Sequence, residues 1–213
     1  MGHLYPIFLN LADKKCLVIG GGKVAQRKIE TLLEYKAQVM VVSPSATDSI
    51  NDWAERKLIT WEARLFEPSD LDHVFMVFIA TGDSRTNKEI ATLCRDRDIM
   101  VNAVDDPENC DFYVPAILRR ESLCIAVSTE GKSPLLAAKL RNELENMIPA
   151  EYGDWVEILG RLREEIKSSE LDISQRQQVF SDLVYSDILD LLIQGRKQEA
   201  EERITSCISC LRE

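Results

Sequence analysis

The chain has 213 residues, 45% of them hydrophobic, enough for a packed core in one medium domain, or in a domain with a smaller partner, and too apolar for wholesale disorder. The formal net charge of −10 opposes binding to a long polyanion, so no nucleic-acid partner is expected, whereas a compact anionic metabolite needs only a few local cations. No apolar run approaches the roughly 20 residues of a membrane span, and the opening MGHLYPIFLNLADKK lacks a basic stretch ahead of its apolar one, so neither membrane insertion nor a secretory leader is expected and the expected location is the cytoplasm.

Lys15 to Ile19 is a short apolar run that fits a strand buried on both faces. From Val24 the period changes. Ala25, Ile29, Leu32 and Leu33 fall on one stripe of a helix. Gln38 to Val42 reads as a second strand, closed by Ser43-Pro44. The alternation continues with a helix within Ser45 to Lys57, a strand at Leu58 to Ala63 and a strongly apolar strand at Val74 to Ala80. Asp83 or Ser84 can cap the next helix, with Ile90, Ala91, Cys94 and Leu93 facing inward, and Ile99 to Val104 is a further strand. Strands and helices in alternation predict an α/β fold, a Rossmann-type doubly wound parallel sheet, over residues 1–112.

The pattern then breaks. Phe112 to Leu118 and Leu123 to Val127 are strand-like with only Arg119 to Ser122 between them, which predicts an antiparallel pair. Ser133-Pro134 reads as N-cap and first residue of a helix with a stripe of Leu136, Leu140, Leu144 and Met147. These make a small α+β segment, 113–149. From residue 150 to 213 there is no strand signal. Trp155, Ile158, Leu159 and Leu162 form one stripe, Val179, Leu183 and Val184 a second, and Ile188, Leu191 and Leu192 a third. Gly195 is a helix stop, and Ile204, Ile208 and Leu211 share a last face, so a C-terminal helical module is expected.

The cysteines, Cys16, Cys94, Cys110, Cys124, Cys207 and Cys210, are scattered and read as reduced thiols. Cys207-x-x-Cys210 lacks a second pair, and the only histidines are His3 and His73, so two cysteines on one helix face is a plainer reading than a zinc site.

Gly20-x-Gly22-x-x-Ala25 lies between an apolar strand and an amphipathic helix. One glycine permits a tight turn, another lets the backbone approach a pyrophosphate, and the small Ala25 lets helix and strand pack closely. The helix start, with Lys23 and Val24, offers unpaired N–H groups to phosphates. Without a ligand the same residues are a tight strand-to-helix turn. The acid that holds the ribose about 20 residues on in such sites is replaced by Ser43-Pro44-Ser45. No arginine follows to receive a 2′-phosphate, which tilts the site toward NAD without deciding against NADP.

Four segments, YPIFLNLADKKCLVIGGGKVAQRK, VFIATGD, VNAVDDPENCDFYVPA and IAVSTEGKSPLLAAKLRNELE, together resemble precorrin-2 dehydrogenase, the NAD-dependent module of siroheme synthases. The resemblance covers residues 4 to about 148, and the tail is similar in length and helical character. It implies NAD-dependent oxidation of precorrin-2 to sirohydrochlorin, with ferrous iron inserted by some members. It also implies a homodimer joined by the middle segment, and an active site between the dinucleotide domain and that segment. The cofactor-binding set is then Gly20, Gly22, Lys23, Val24, Ser43, Pro44, Ser45 and Thr81.

Asp105 lies just past the last parallel strand and is positioned like the family's catalytic aspartate. It is expected to be the general base, and to receive metal or pyrrole protons if iron is inserted. From the residues alone, Asp105-Asp106-Pro107 reads as a solvated turn. The loop Ser128, Thr129, Glu130, Gly131, Lys132, Ser133 leads into a helix and would make a carboxylate site, with Thr129 at a position the family fills with serine or threonine. It reads equally as a helix-start hydroxyl. Arg119, Arg120, Lys132, Lys139 and Arg141 are the cations nearest in sequence. Two departures stand out. Lys36 occupies a turn where the family commonly has glycine, and residues Glu199 to Glu202 make the tail acidic. Two other readings remain: a ferrochelatase using the same cleft, and a non-catalytic NAD-sensing module needing neither Asp105 nor a basic rim.

Overall fold

β1 (Lys15–Ile19) sits at the centre of a parallel sheet whose faces are both covered, so its side chains from Cys16 to Ile19 are buried whichever way they point. The structure, a computed structural model, describes residues 3–209. The sheet is completed by β2 (Gln38–Val42), β3 (Thr60–Glu62), β4 (Met76–Ile79) and β5 (Met100–Ala103), in the order β3-β2-β1-β4-β5. Cys16 and Val18 meet Ala25 and Ile29 of α1 (Lys23–Glu34) and Ile50 of α2 (Asp48–Glu55) on one face. Leu17 and Ile19 meet Ile90, Ala91 and Cys94 of α3 (Ser84–Arg95) on the other. The period of two along the strand thus divides its residues between the two layers.

The chain runs outward from β1 to β3, then crosses back to β4, so the winding reverses between β1 and β4. Ile19 is level with both Val42 and Ile79, and Ile79 with Ala103. The loops that open at Gly20, Ser43, Ala80 and Val104 therefore leave from one edge.

α1 ends in a Schellman motif, with the Ala37 N–H donating to Leu32 O (3.1 Å) and the Lys36 N–H to Leu33 O (3.0 Å). Lys36 is left-handed, φ 58°, the conformation that the glycine of the family turn would adopt without strain. Lys36→Gly should stabilise the protein by about 0.5–1 kcal/mol, the relief of left-handed strain less the entropy glycine adds to the unfolded chain. Thermal unfolding should show a midpoint about 1–4 °C higher.

A 3₁₀ turn at Pro68–Leu71 carries Asp70, 4% exposed. Its carboxylate accepts from both terminal nitrogens of Arg64 (2.7 and 2.9 Å) and from the Glu67 N–H (2.8 Å). The Arg64 hydrogen bonds hold its pKa below the ordinary carboxylate range, against the opposing effect of burial. A depressed native pKa adds stability above the unfolded pKa of about 4, and this is lost as pH falls through the native value. Asp70→Asn should cost about 2 kcal/mol at pH 7. Urea unfolding at stepped pH should show that difference shrinking below about pH 4.

A compact unit ends at Val114 and a second begins at Pro115. The second opens with β6 (Ala116–Arg120) and β7 (Leu123–Val127), antiparallel, joined by Glu121-Ser122 with Glu121 left-handed at φ 46°. The strand expected from Phe112 starts later and runs on through Arg119 and Arg120. Phe112 belongs to the first unit, where its carbonyl accepts from Asn102 Nδ2 (2.8 Å) and its ring meets Phe78 edge-on at 5.4 Å. Pro115 then has no N–H for a ladder.

α4 (Pro134–Met147) is capped by Ser133, whose hydroxyl accepts from the Leu136 N–H (3.3 Å). Its inward face is not the leucine stripe. Ala137 is the buried residue, while Leu136, Leu140 and Met147 are 46%, 39% and 70% exposed and Leu144 is half-buried. A small residue lets the helix lie close, and the leucine stripe is left on the outside of this chain.

α5 (Glu151–Ser168), α6 (Ile173–Val184), α7 (Ile188–Ile193) and α8 (Lys197–Cys207) bury Trp155, Leu162, Ile166, Val179, Leu183, Ile188, Leu191, Ala200 and Ile208 in one cluster. Val184 is exposed instead of completing its stripe. A Cβ on Gly153 would lie 2.9 Å from the Arg120 carbonyl carbon, so glycine lets α5 approach β6. Gly195 stops α7 with φ 75°. Burial pushes the Cys207 thiol pKa up; Cys210 and Leu211 lie outside the described residues. Among the described residues no helix is long and apolar enough to cross a membrane.

Candidate active site

The glycines after β1 have three different neighbourhoods. Gly20 has φ 123°, and a Cβ there would lie 2.4 Å from Ala80 O. A Cβ on Gly21 would lie 1.9 Å from Ser45 O. A Cβ on Gly22 would meet nothing within 4 Å. The first two glycines are therefore demanded by the fold, and the third faces open space.

Gly22 is also the N-cap of α1, with no side chain capping the helix and no acid in its first turn. The first N–H groups and the positive end of the dipole are left for an anion, with exposed Lys23 beside them and half-buried Val24 next. At the other side of the winding reversal, α3 is capped by its own carboxylate. Asp83 accepts from the Arg85 N–H (3.1 Å) and the Thr86 hydroxyl, and these bonds, Thr86 first, hold its pKa below the usual range. Of these two helix starts, α1's is the one open to a phosphate, and it fits the pyrophosphate of a dinucleotide.

The loop after β2 is locked to this turn. The Thr47 N–H donates to Gly21 O (3.0 Å), and the Thr47 hydroxyl to Gln26 Oε1 (2.8 Å). Ser43 is buried, its hydroxyl donates to Ser45 O (2.7 Å), and its carbonyl accepts from Trp61 Nε1 (3.1 Å). Its side chain shapes the loop, while Pro44 and Ser45 are exposed. After β4, the Thr81 hydroxyl donates to Asn87 Oδ1, and Asn87 Nδ2 donates to Thr81 O (3.3 Å). Asn87 is 5% exposed on α3. The sequence motifs do not single out Gly21 or Asn87. The available signals were a third consecutive glycine and a polar residue on the inward stripe of Ile90 and Ala91.

After β5, the Val104 N–H still donates to Ile79 O (2.9 Å), so Asp105 stands on the same edge as the glycine turn. Asp105 is exposed with φ 60°. Among the described residues its carboxylate has no hydrogen-bond or ion-pair partner. Asp106 differs: its Oδ2 accepts from Asn109 Nδ2 at 2.6 Å.

The remaining candidates belong to the second unit. Ser128 Oγ accepts from the Glu130 N–H (3.1 Å), and Thr129 Oγ1 from the Ser133 N–H (3.0 Å). Glu130 and Gly131 are left-handed, φ 53° and 76°, and Lys132 closes the turn onto Thr129 O (2.9 Å). Arg120 is committed elsewhere: its Nε donates to Ile148 O (3.1 Å) and its Nη2 to Glu145 O (3.3 Å), capping the C-terminus of α4. Arg119 is exposed, its Nη2 3.6 Å from Cys124 Sγ. Lys132, Lys139 and Arg141 face Glu130, Glu143 and Glu145 at 3.3, 3.6 and 2.7 Å. Among the described residues no three His, Cys, Asp or Glu side chains are grouped to hold a metal.

Residues 7–116 match the family model described as "Putative NAD(P)-binding". Residues 120–147 match that of the sirohaem biosynthesis protein central region, and 151–207 that of the sirohaem synthase dimerisation region. A siroheme synthase of Thioalkalivibrio sulfidiphilus is 36% identical over 204 residues, 96% of this chain and 42% of that protein. One of Methylococcus capsulatus is 38% identical over 196 residues, 92% of this chain and 41% of that protein. The chain thus spans about two fifths of the length of these relatives. A solved structure titled SirC, precorrin-2 dehydrogenase, is 26% identical with a TM-score of 0.78, covering 93% of this chain and 100% of that one. With just over half of its residues matched, 7–116, and the glycine turn open at α1, the chain belongs to this NAD(P)-binding family and carries the two sirohaem regions behind it.

Proposed function

We propose that the chain is an NAD-dependent dehydrogenase that oxidises precorrin-2 to sirohydrochlorin in siroheme synthesis. The observation that carries this reading is the pairing of an open helix N-terminus at Gly22 with an unengaged carboxylate, Asp105, on one sheet edge. The likeness to a precorrin-2 dehydrogenase over that protein's whole length supports it.

Bound NAD supplies the two-electron acceptor for a hydride. The α1 N–H groups and Lys23 hold phosphate charge there. The hydrogen that leaves as a proton needs a base, and Asp105, without a partner among the described residues, takes it and returns it to water. Ser128 and Thr129 each keep an O–H to donate to a substrate carboxylate. Lys132 and Arg119 add charge, with Glu130 exchanged for substrate as the partner of Lys132. Arg120, the other arginine expected to face substrate, donates to the last carbonyls of α4. A homodimer is part of the proposal, supported by the dimerisation-region match and by the exposed Leu135, Leu136, Leu140 and Met147 on α4.

The test mixes purified protein, precorrin-2 and NAD without metal and follows sirohydrochlorin absorbance together with NADH. Appearance of both in equal amounts is expected. Failure of both, with rapid iron insertion into supplied sirohydrochlorin, would replace the reading with a chelatase. Failure of all three with NAD still bound would replace it with a sensor.

A further inference from the structure

We infer that Arg95 and Asn109 are positioning residues for Asp105, an inference that rests on the reading of Asp105 as the base. Asp105 is a single left-handed residue between two pinned neighbours. Upstream, Val104 is held to β4 by its N–H on Ile79 O (2.9 Å). Downstream, the Asp106 N–H donates back to Ala103 O (3.3 Å), and the Cys110 thiol donates to the same carbonyl at 3.1 Å.

The side chain of Asp106 completes the downstream pin. It accepts from Asn109 Nδ2 at 2.6 Å, and the Asn109 N–H donates to Asp106 O at 3.1 Å. Asn109 is buried, and its other amide atom, Oδ1, accepts from Arg95 Nη2 at 3.0 Å. The same guanidinium nitrogen donates to Glu108 O at 3.1 Å. Arg95 is the last residue of α3. A relay therefore runs from that helix through Asn109 to Asp106, and it anchors the 3₁₀ turn Pro107–Asn109 on the way.

This relay separates the roles of two adjacent acids. The carboxylate of Asp106 is spent on the loop, and that of Asp105 is presented bare. A lone aspartate prefers a negative φ, so loss of the downstream pin lets Asp105 relax and swings its carboxylate off its direction. The cost falls on the chemical step, which depends on alignment, more than on binding.

The test uses the full chain with Arg95→Met, Asn109→Ala and Arg95→Lys, each alone and in an Asp105→Asn background. Steady-state kcat, the KM values for precorrin-2 and NAD, and thermal midpoints are measured. Arg95 is exposed, so Arg95→Met should fold normally and lose about ten- to hundredfold in kcat, with both KM values unchanged. Arg95→Lys should recover part of the loss. In the Asp105→Asn background, Arg95→Met should lower the residual kcat no further, a coupling that a merely structural role does not produce. The inference is overturned, with the base reading intact, if Asp105→Asn is inactive while Arg95→Met and Asn109→Ala keep kcat within twofold of wild type. An equal fold-loss from Arg95→Met in both backgrounds overturns it too. Wild-type turnover by Asp105→Asn removes the base reading itself, and the inference with it.

Discussion

Gly21→Ala should unfold readily, while Gly22→Ala should fold normally and bind NAD poorly. The added carbon at Gly21 would lie 1.9 Å from Ser45 O and 3.0 Å from the Ala46 Cα. Both are backbone atoms, and the loop that carries them is fixed by Thr47 on Gly21 O and by Trp61 on Ser43 O. Nothing can give way without breaking those bonds. A loss of about 3 kcal/mol follows, a drop of roughly 6–12 °C in the thermal midpoint. At Gly22 the backbone has φ −83°, ordinary for alanine, and the space ahead is open. That space is the approach to the α1 N–H groups. A methyl group in it should weaken NAD about 10–100-fold, or about 1.4–2.8 kcal/mol. Thermal melts with NAD fluorescence titrations separate the two effects. Wild-type NAD affinity in Gly22→Ala would remove the pyrophosphate from this helix start.

Asp105→Asn should lower turnover about 10²–10⁴-fold while leaving the thermal midpoint and NAD affinity alone. Asparagine tolerates the left-handed conformation of residue 105 (φ 60°) at least as well as aspartate, so the variant removes the carboxylate without moving the loop. Asp105→Gly should be as inactive and more stable by about 1 kcal/mol, because glycine relieves the backbone strain. Turnover from precorrin-2 and differential scanning calorimetry on the pair check this. Full activity in Asp105→Asn would send the search for the proton acceptor elsewhere.

The periodic parts of the fold were legible in the sequence. β1 and β2 begin and end where their apolar runs do, and the Ser133-Pro134 start of α4 follows from capping chemistry. The face of α4 was not legible. A stripe of Leu136, Leu140 and Leu144 states that one side is apolar, but only the packing distance decides that Ala137 is the side turned inward. Phe112 read as the start of the strand-like run to Leu118, and its carbonyl is taken by Asn102 instead.

At the candidate site, the positions of the glycine turn and Asp105 in the fold were legible because their local signals coincide with strand ends. The demand for glycine at Gly21 was not, since the atom that forbids a side chain there comes from Ser45 on another loop. Arg120 read as a substrate cation because it lies near the Ser128 loop in sequence, and the last carbonyls of α4 take it. Arg95 and Asn109 carry no motif. Their partnership joins the end of one helix to the turn after the next strand.

Each strand of the parallel sheet is preceded by a left-handed residue that is not glycine: Asp13 before β1, Lys36 before β2, Lys57 before β3, His73 before β4 and Asp98 before β5. All five sit at the amino rim, away from the loops that form the site. A lineage carried into a hotter environment could replace them with glycine one at a time, gaining heat tolerance at each step with no change in chemistry. At the carboxyl rim the same exchange at Asp105 would remove the carboxylate on which the proposed reaction depends. The amino rim is thus where stabilising exchanges leave the candidate site untouched, and the opposite rim is where they reach it.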